Sequence, residues 1–322
     1  MRFSFANLPY CSATKRYQPT PCKRALTQLS IVHLPQPMNI LSLQSSVVYG
    51  HVGNAAAVFP LQRLGHEVWP LHTVQFSNHT GYGGWRGQLF PAADLAQLVD
   101  GIAERGVLGR CHAVLSGYLG NAATGRVVLD AVARVRAANP AALYCCDPVM
   151  GDAGRGLFVH PDIPPLLGSE ALPAADLLTP NQFELELLAG GPVASLNDAL
   201  AAAAGLQSRG PSMVAVTSLG PPAVGTGRIG SLLVTATGRW LVDTPRLVFE
   251  RPLGGAGDVF AALLLGRLLA GESPPAALEK TVNGLYALLA RTLAAGETEL
   301  ALIAGQDDLV APPLRFAARR LD

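Results

Sequence analysis

The chain has 322 residues, of which 49% are hydrophobic and 15% charged, with 24 basic against 23 acidic side chains. The formal net charge of +1 gives no electrostatic reason to expect nucleic acid or a membrane surface as partner. No apolar run reaches the roughly 18 residues of a spanning helix, and the length suits one large α/β domain with an ample core.

Residues 1–37 differ from the rest. They carry Arg2, Lys15, Arg16, Lys23 and Arg24, no acidic residue, and prolines at 9, 19, 21, 35 and 37. The prolines break any amphipathic targeting helix, so a disordered extension or a misassigned start is expected, with the domain spanning 38–322. Asn39–Leu43 reads as a short apolar strand, Gln44–Gly53 as a loop and Asn54–Leu64 as a helix. Glu67–Val74 is a second strand, with a bend expected at Pro70. Gln75–Gly87, polar, Gly-rich and aromatic, reads as a mobile loop or flap.

A helix over Ala92–Glu104, a strand over His112–Ser116 and a helix over Ala122–Ala138 follow. The apolar strand Ala142–Cys146 runs directly into Asp147, and adjacent Cys145 and Cys146 should point to opposite faces. A strand near Leu177-Leu178, helices over Asn181–Ala189 and Leu196–Ser208, and a strand over Met213–Thr217 come next. Gly230–Thr235 and Arg239–Val242 read as a hairpin with Gly238 in its turn. Helices over Asp258–Leu269 and Ala276–Ala295 complete the core. This alternation predicts a mostly parallel sheet covered on both faces, with the hairpin as an antiparallel edge.

The cysteines at 11, 22, 111, 145 and 146 show no zinc spacing, and an odd count without a framework reads as reduced thiols in the cytoplasm. In a sheet of this kind ligands sit beyond the carboxyl ends of the strands. Ser45–Asn54 is hydroxyl-rich and then punctuated by glycine; it reads equally as a grip on a small polar ring and as a helix-capping loop. Ser77–Trp85 offers donors, acceptors and aromatic faces together. Asp147-Pro-Val-Met-Gly-Asp152 places a carboxylate at a strand end, fit for a divalent cation or for a turn. In Thr179-Pro-Asn-Gln-Phe-Glu184, spacing favours an Asn181–Glu184 capping box, while Asp147, Asn181 and Glu184 together would suit Mg²⁺ and phosphate.

Arg251-Pro-Leu-Gly-Gly-Ala-Gly-Asp258 then opens an apolar helix. Its glycines let the backbone amides approach an anion at the positive end of that helix. Asp258 is the only side chain of Gly254–Asp258 able to take a proton, and a capping Asp in a plain loop would read the same. No Gly-Lys-Ser/Thr follows, so the Walker pattern is absent.

Taken in order, Gln44–Asn54, Asn78-His-Thr80, Leu115–Gly120, Cys146–Gly151, Thr179–Glu184 and Gly254–Asp258 resemble the blocks of the pyridoxal kinase family. The resemblance covers the chain from about Met38 onward. It implies a ribokinase-like three-layer α/β/α sandwich, usually dimeric, that phosphorylates the 5′-hydroxymethyl of pyridoxal with ATP and Mg²⁺. Pyridoxine and pyridoxamine would be further substrates. It implies Asp258 as base, staying ionised at the helix mouth, with the amides of Gly255, Ala256 and Gly257 as anion hole. Ser45, Thr80 and Gly81 would contact the vitamin ring with Tyr49 close by. Asp147, Thr179, Glu184, Thr217, Thr244, Pro245, Arg246 and Leu247 would line the ATP side, and Asp147, Asn181 and Glu184 would face magnesium.

The chain departs from that pattern at Thr217, where some relatives place a lysine, and at Ala256, where many have Thr or Val. Hydroxymethylpyrimidine kinase shares the fold and the Gly-x-Gly-Asp chemistry, and a non-catalytic vitamin B6 carrier is the alternative outside the enzymes. An enzyme using pyridoxal phosphate as cofactor needs a Schiff-base lysine, and Lys280, in mid-helix, is the only lysine in the domain.

Overall fold

A computed structural model describes residues 37–251 and 253–321; the expectation for residues 1–37 lies, Pro37 apart, outside them. The first half contains β1 (Asn39–Val47), α1 (Asn54–Arg63), β2 (Glu67–Phe76), a 3-10 turn (Thr80–Tyr82), β3 (Gly87–Leu89), α2 (Ala92–Glu104), β4 (Cys111–Ser116), α3 (Ala122–Ala138) and β5 (Leu143–Cys146). A small hairpin of β6 (Gly151–Asp152) and β7 (Gly156–Leu157) follows. Then come α4 (Ile163–Leu166), α5 (Leu172–Ala174), β8 (Leu177–Leu178), α6 (Gln182–Ala189) and α7 (Leu196–Gln207). β9 (Met213–Leu219), β10 (Arg228–Thr235), β11 (Gly238–Pro245), α8 (Ala256–Leu269), α9 (Pro274–Ala294), α10 (Gln306–Val310) and β12 (Arg319–Arg320) complete the order.

Ten strands form one sheet in the order β12-β11-β10-β9-β8-β5-β4-β1-β2-β3. The strands from β9 through β2 run parallel to their neighbours, while β10, β11 and β12 extend one edge antiparallel and β3 closes the other. Side-chain alternation sends Leu41, Leu43, Val114, Tyr144 and Cys146 to one face, against Leu95, Val99, Val128 and Leu185 of α2, α3 and α6. Ile40, Ala113, Leu115, Cys145 and Leu177 go to the other, against Leu61, Phe260, Leu264 and Leu278 of α1, α8 and α9. The two adjacent cysteines therefore do face opposite layers. The architecture is a ribokinase-like α/β/α sandwich.

Between Asp258 and Arg267, α8 is apolar all round, and Val259–Leu265 are buried without exception. Truncating Phe260 in that helix to Ala would cost about 3–5 kcal/mol and loosen the platform beneath Asp258.

Several local expectations are corrected. β1 does not stop at Leu43 but continues to Val47, because Ser46 and Val47 pair with Gln75 and Phe76 of β2 past a bulge. β2 passes Pro70 without a register shift, and β3 pairs only with Val74–Phe76, so the proline faces an unpaired edge. The flap is therefore shorter than Gln75–Gly87, with both its ends in strands. The late hairpin turns at Ala236-Thr237, and Gly238 is already in β11. α8 begins at Ala256 rather than Asp258, because Gly255 adopts φ 85 at its N-cap.

Candidate active site

The carboxyl ends of the parallel strands and the mouth of α8 meet around one cavity of about 550 Å³. At the helix mouth, a Cβ on Gly255 would lie 1.9 Å from the carbonyl oxygen of His51, so only glycine fits. A Cβ on Gly254 would meet Val52 Cγ1 at 2.9 Å, whereas one on Gly257 would meet nothing. The first intrahelical bond runs from Val259 N to Gly255 O, leaving the amides of Ala256, Gly257 and Asp258 without an intrahelical acceptor. Their orientation and the helix dipole suit an anion at this point.

Asp258 stands in the first turn of α8. Burial pushes its carboxyl up to about 6, against the amides of Gly53 and of Asp258 itself, which favour the carboxylate. Desolvation outweighs the stabilisation that these amides give the charged form. The group is a carboxylate at neutral pH and lies much closer to its titration than an exposed Asp.

At the end of β5, Asp147 is buried and accepts a hydrogen bond from Thr179 Oγ1 at 3.0 Å. Burial, followed by the charges of Glu184 and Asp258, pushes its carboxyl well above the usual range. Glu184 is buried too and rises to about 7, held back by amides of Asn181, Met150 and Gly151. The Asn181–Glu184 capping box is present: Asn181 Oδ1 accepts from Glu184 N at 3.0 Å, and Glu184 Oε2 accepts from Asn181 N at 2.9 Å. Asn181 Nδ2 donates to Gly151 O, so both ends of this amide have protein partners. Among the described residues, no three His, Cys, Asp or Glu side chains group as a metal cage. Crowded, buried carboxylates with few free oxygens do fit a magnesium–phosphate complex, which keeps its waters and takes few protein ligands.

Of the residues expected at the site, Ser45, Thr80, Asp147, Thr179, Asn181, Glu184, Thr217, Thr244–Leu247 and Gly255–Asp258 all line the cavity. Tyr49 and Gly81 are not brought to its wall. Tyr49 is 58% exposed, its ring 6.1 Å from that of Tyr82, and the Gly81 amide bonds to His79 Nδ1.

Sequence reading missed other parts of the wall. Arg155, in the turn between β6 and β7, pairs with Asp152 at 2.6 Å and lies 4.4 Å over the Phe158 ring. Val282, Leu285, Tyr286 and Leu289 of α9 supply an apolar side, and their helical one-face spacing was a usable signal. Ser218, also on the wall, holds φ 58, which non-glycine residues seldom adopt.

A family model described as phosphomethylpyrimidine kinase matches residues 99–302. Pyridoxal kinase PdxY of Rubrobacter xylanophilus is 58% identical over 285 residues, covering 88% of this chain and 98% of the relative. Its counterpart in Deinococcus radiodurans is 54% identical over 290 residues, covering 89% and 97%. The structure of pyridoxal kinase from Leishmania donovani in complex with ADP and pyridoxamine superposes with a TM-score of 0.82 at 31% identity, covering 88% of this chain and 99% of that one.

Proposed function

From the premise that this chain belongs to the pyridoxal kinase family, we propose that it transfers the γ-phosphoryl group of ATP to the 5′-hydroxymethyl of pyridoxal. The products are pyridoxal 5′-phosphate and ADP, and pyridoxine and pyridoxamine are further substrates. One observation carries the mechanism: a half-buried carboxylate, Asp258, stands beside the free amides of Ala256 and Gly257 in a cavity that also holds Asp147 and Glu184.

Phosphoryl transfer asks mainly for positioning and for stabilisation of charge. Asp258 accepts the hydroxyl proton as that oxygen bonds to the γ-phosphorus, and the bond to the β–γ bridging oxygen breaks toward ADP. The amides at the mouth of α8 receive the developing charge, each such donor being worth roughly 3–4 kcal/mol. Ser45 and Thr80 flank the vitamin, while Thr179, Thr217 and Thr244–Leu247 flank ATP. Gly81 and Tyr49 reach the vitamin only through movement of the loops that carry them. With Thr at 217, the Arg246 guanidinium on the cavity wall is available to the phosphates, and that of Arg155 would join it on leaving Asp152.

When bound, magnesium neutralises phosphate charge. Asp147 would hold it, directly or through water, with Glu184 beside it and Asn181 fixing Glu184 through the capping box. Among the described residues no helix is long and apolar enough to cross a membrane. A cytoplasmic homodimer is part of this proposal.

The test is ATP consumption against pyridoxal, pyridoxine, pyridoxamine and hydroxymethylpyrimidine in parallel. Turnover should be greatest with a B6 vitamer. Turnover of hydroxymethylpyrimidine alone would favour the reading that the family model's description raises, and no turnover at all would leave only a B6 carrier.

A further inference from the structure

Glu299 lies beyond α9, in the segment before the buried Leu300, and none of the chemistry above uses it. Its two carboxylate oxygens hold two different loops. Oε2 accepts from the backbone amide of His51 at 2.9 Å, and Oε1 accepts from the phenol of Tyr82 at 2.7 Å. The contact with the first loop is close: a Cβ on Gly50, at φ 93, would fall 2.5 Å from the Glu299 carboxylate.

Each loop bears on the site. The carbonyl of His51 faces Gly255 so closely that a Cβ there would lie 1.9 Å from it, and Leu300 Cδ1 would lie 3.1 Å from the same Cβ. The loop that Glu299 grips is therefore the shelf on which the N-cap of α8 rests. Tyr82 ends the 3-10 turn whose start, Thr80, lines the cavity beside His79. His79 in turn lies 3.5 Å from a Cβ built on Gly254. One carboxylate thus ties the flap to the backbone beneath the anion hole.

Building on the proposed function, we propose that Glu299 is a positioning residue. It latches the flap through Tyr82 and steadies Gly255 through His51, so that Thr80 and His79 are held over the vitamin. The latch acts on the vitamin side, because neither of its contacts touches the segments assigned to ATP. It has two separable arms: loss of the phenol frees the flap alone, while loss of the carboxylate frees both loops.

The test uses the full chain and three variants. Tyr82→Phe should raise KM for pyridoxal about 5- to 10-fold, as for one exposed hydrogen bond of ordinary net strength, and leave KM for ATP within about twofold. Glu299→Ala should do the same and also lower kcat. Glu299→Gln should stay near the parent, since its amide can still accept from His51 N and donate to the Tyr82 oxygen. Hydrogen exchange in the ligand-free protein should quicken over residues 79–87 in Tyr82→Phe and Glu299→Ala, but not in Glu299→Gln. Parental KM and parental exchange in Tyr82→Phe would overturn the latch, as would a Glu299→Ala protein that loses only melting temperature. Should Glu299→Ala fail to fold, Tyr82→Phe carries the test. Should the parent not phosphorylate pyridoxal, the proposed function fails, and the exchange measurement still decides the latch.

Discussion

The backbone amide of Gly53, on the loop after β1, favours the carboxylate form of Asp258 at the mouth of α8. The residue must be glycine: at φ 55 a Cβ would lie 2.2 Å from the carbonyl oxygen of Ser45 and 2.4 Å from its hydroxyl. One turn therefore brings a vitamin-side residue and the candidate base into register.

Gly53→Ala should consequently disturb stability and chemistry together. Strain and the displaced loop should cost about 1–3 kcal/mol, seen as a lower melting temperature. Displacement of the Gly53 amide by the clash should also weaken stabilisation of the carboxylate, so the acid limb of the kcat/KM profile should move to higher pH. A variant with the parental profile would show that this amide does not tune Asp258.

The pH dependence of the parent has a definite sign. A general base works deprotonated, and the Asp258 carboxyl titrates at about 6. Activity should be level above neutrality and fall as pH drops through about 6, approaching tenfold per unit. A profile still level at pH 5 would remove Asp258 from the role.

Stability should run the other way. The folded carboxyl, at about 6, lies above the ordinary value of 3.8, so between those values the folded state holds the extra proton. This contribution is full below about pH 4, falls as pH rises through the window, and is gone above about 6. The cost is at most about 3 kcal/mol, less whatever the open cavity solvates. Asp258→Asn removes it, so the variant should melt several degrees higher than the parent at pH 8 and equally at pH 4. Thermal melts at both pH values check this, and equal melting at pH 8 would mean that burial does not penalise the carboxylate.

What the sequence made legible were features whose meaning is local. Gly254–Asp258, the strand end at Asp147 and the capping box at Asn181 each carry their chemistry in a few adjacent residues, and all three meet in the cavity. What it hid depends on pairing over distance. Ser45–Val47 looks like a hydroxyl-rich loop until β2 is beside it, and β3 is a strand only because it meets Val74–Phe76. α4 opens with Pro164-Pro165, which reads as a breaker although proline suits a first helical turn. Tyr49 sits inside a block typical of the family and yet is mostly exposed: Tyr49 N donates to Ser77 O, and its ring meets that of Tyr82 on the flap.

The N-terminal segment offers an independent check. β1 begins at Asn39, and the Rubrobacter relative is covered over 98% of its length by 88% of this chain. A chain starting at Met38 should keep parental kcat and melting temperature within error. A large loss in either would show that residues 1–37 contribute to the fold or the site.

The most direct test is Asp258→Asn, measured as kcat together with the dissociation constants of ATP and pyridoxal. Asn keeps the shape and can still cap the helix, but it loses the charge and the basicity. The expected result is a kcat lower by roughly 10²–10⁴-fold with both dissociation constants nearly unchanged. Near-parental turnover in the Asn variant would contradict the assignment and leave Asp258 as a helix cap.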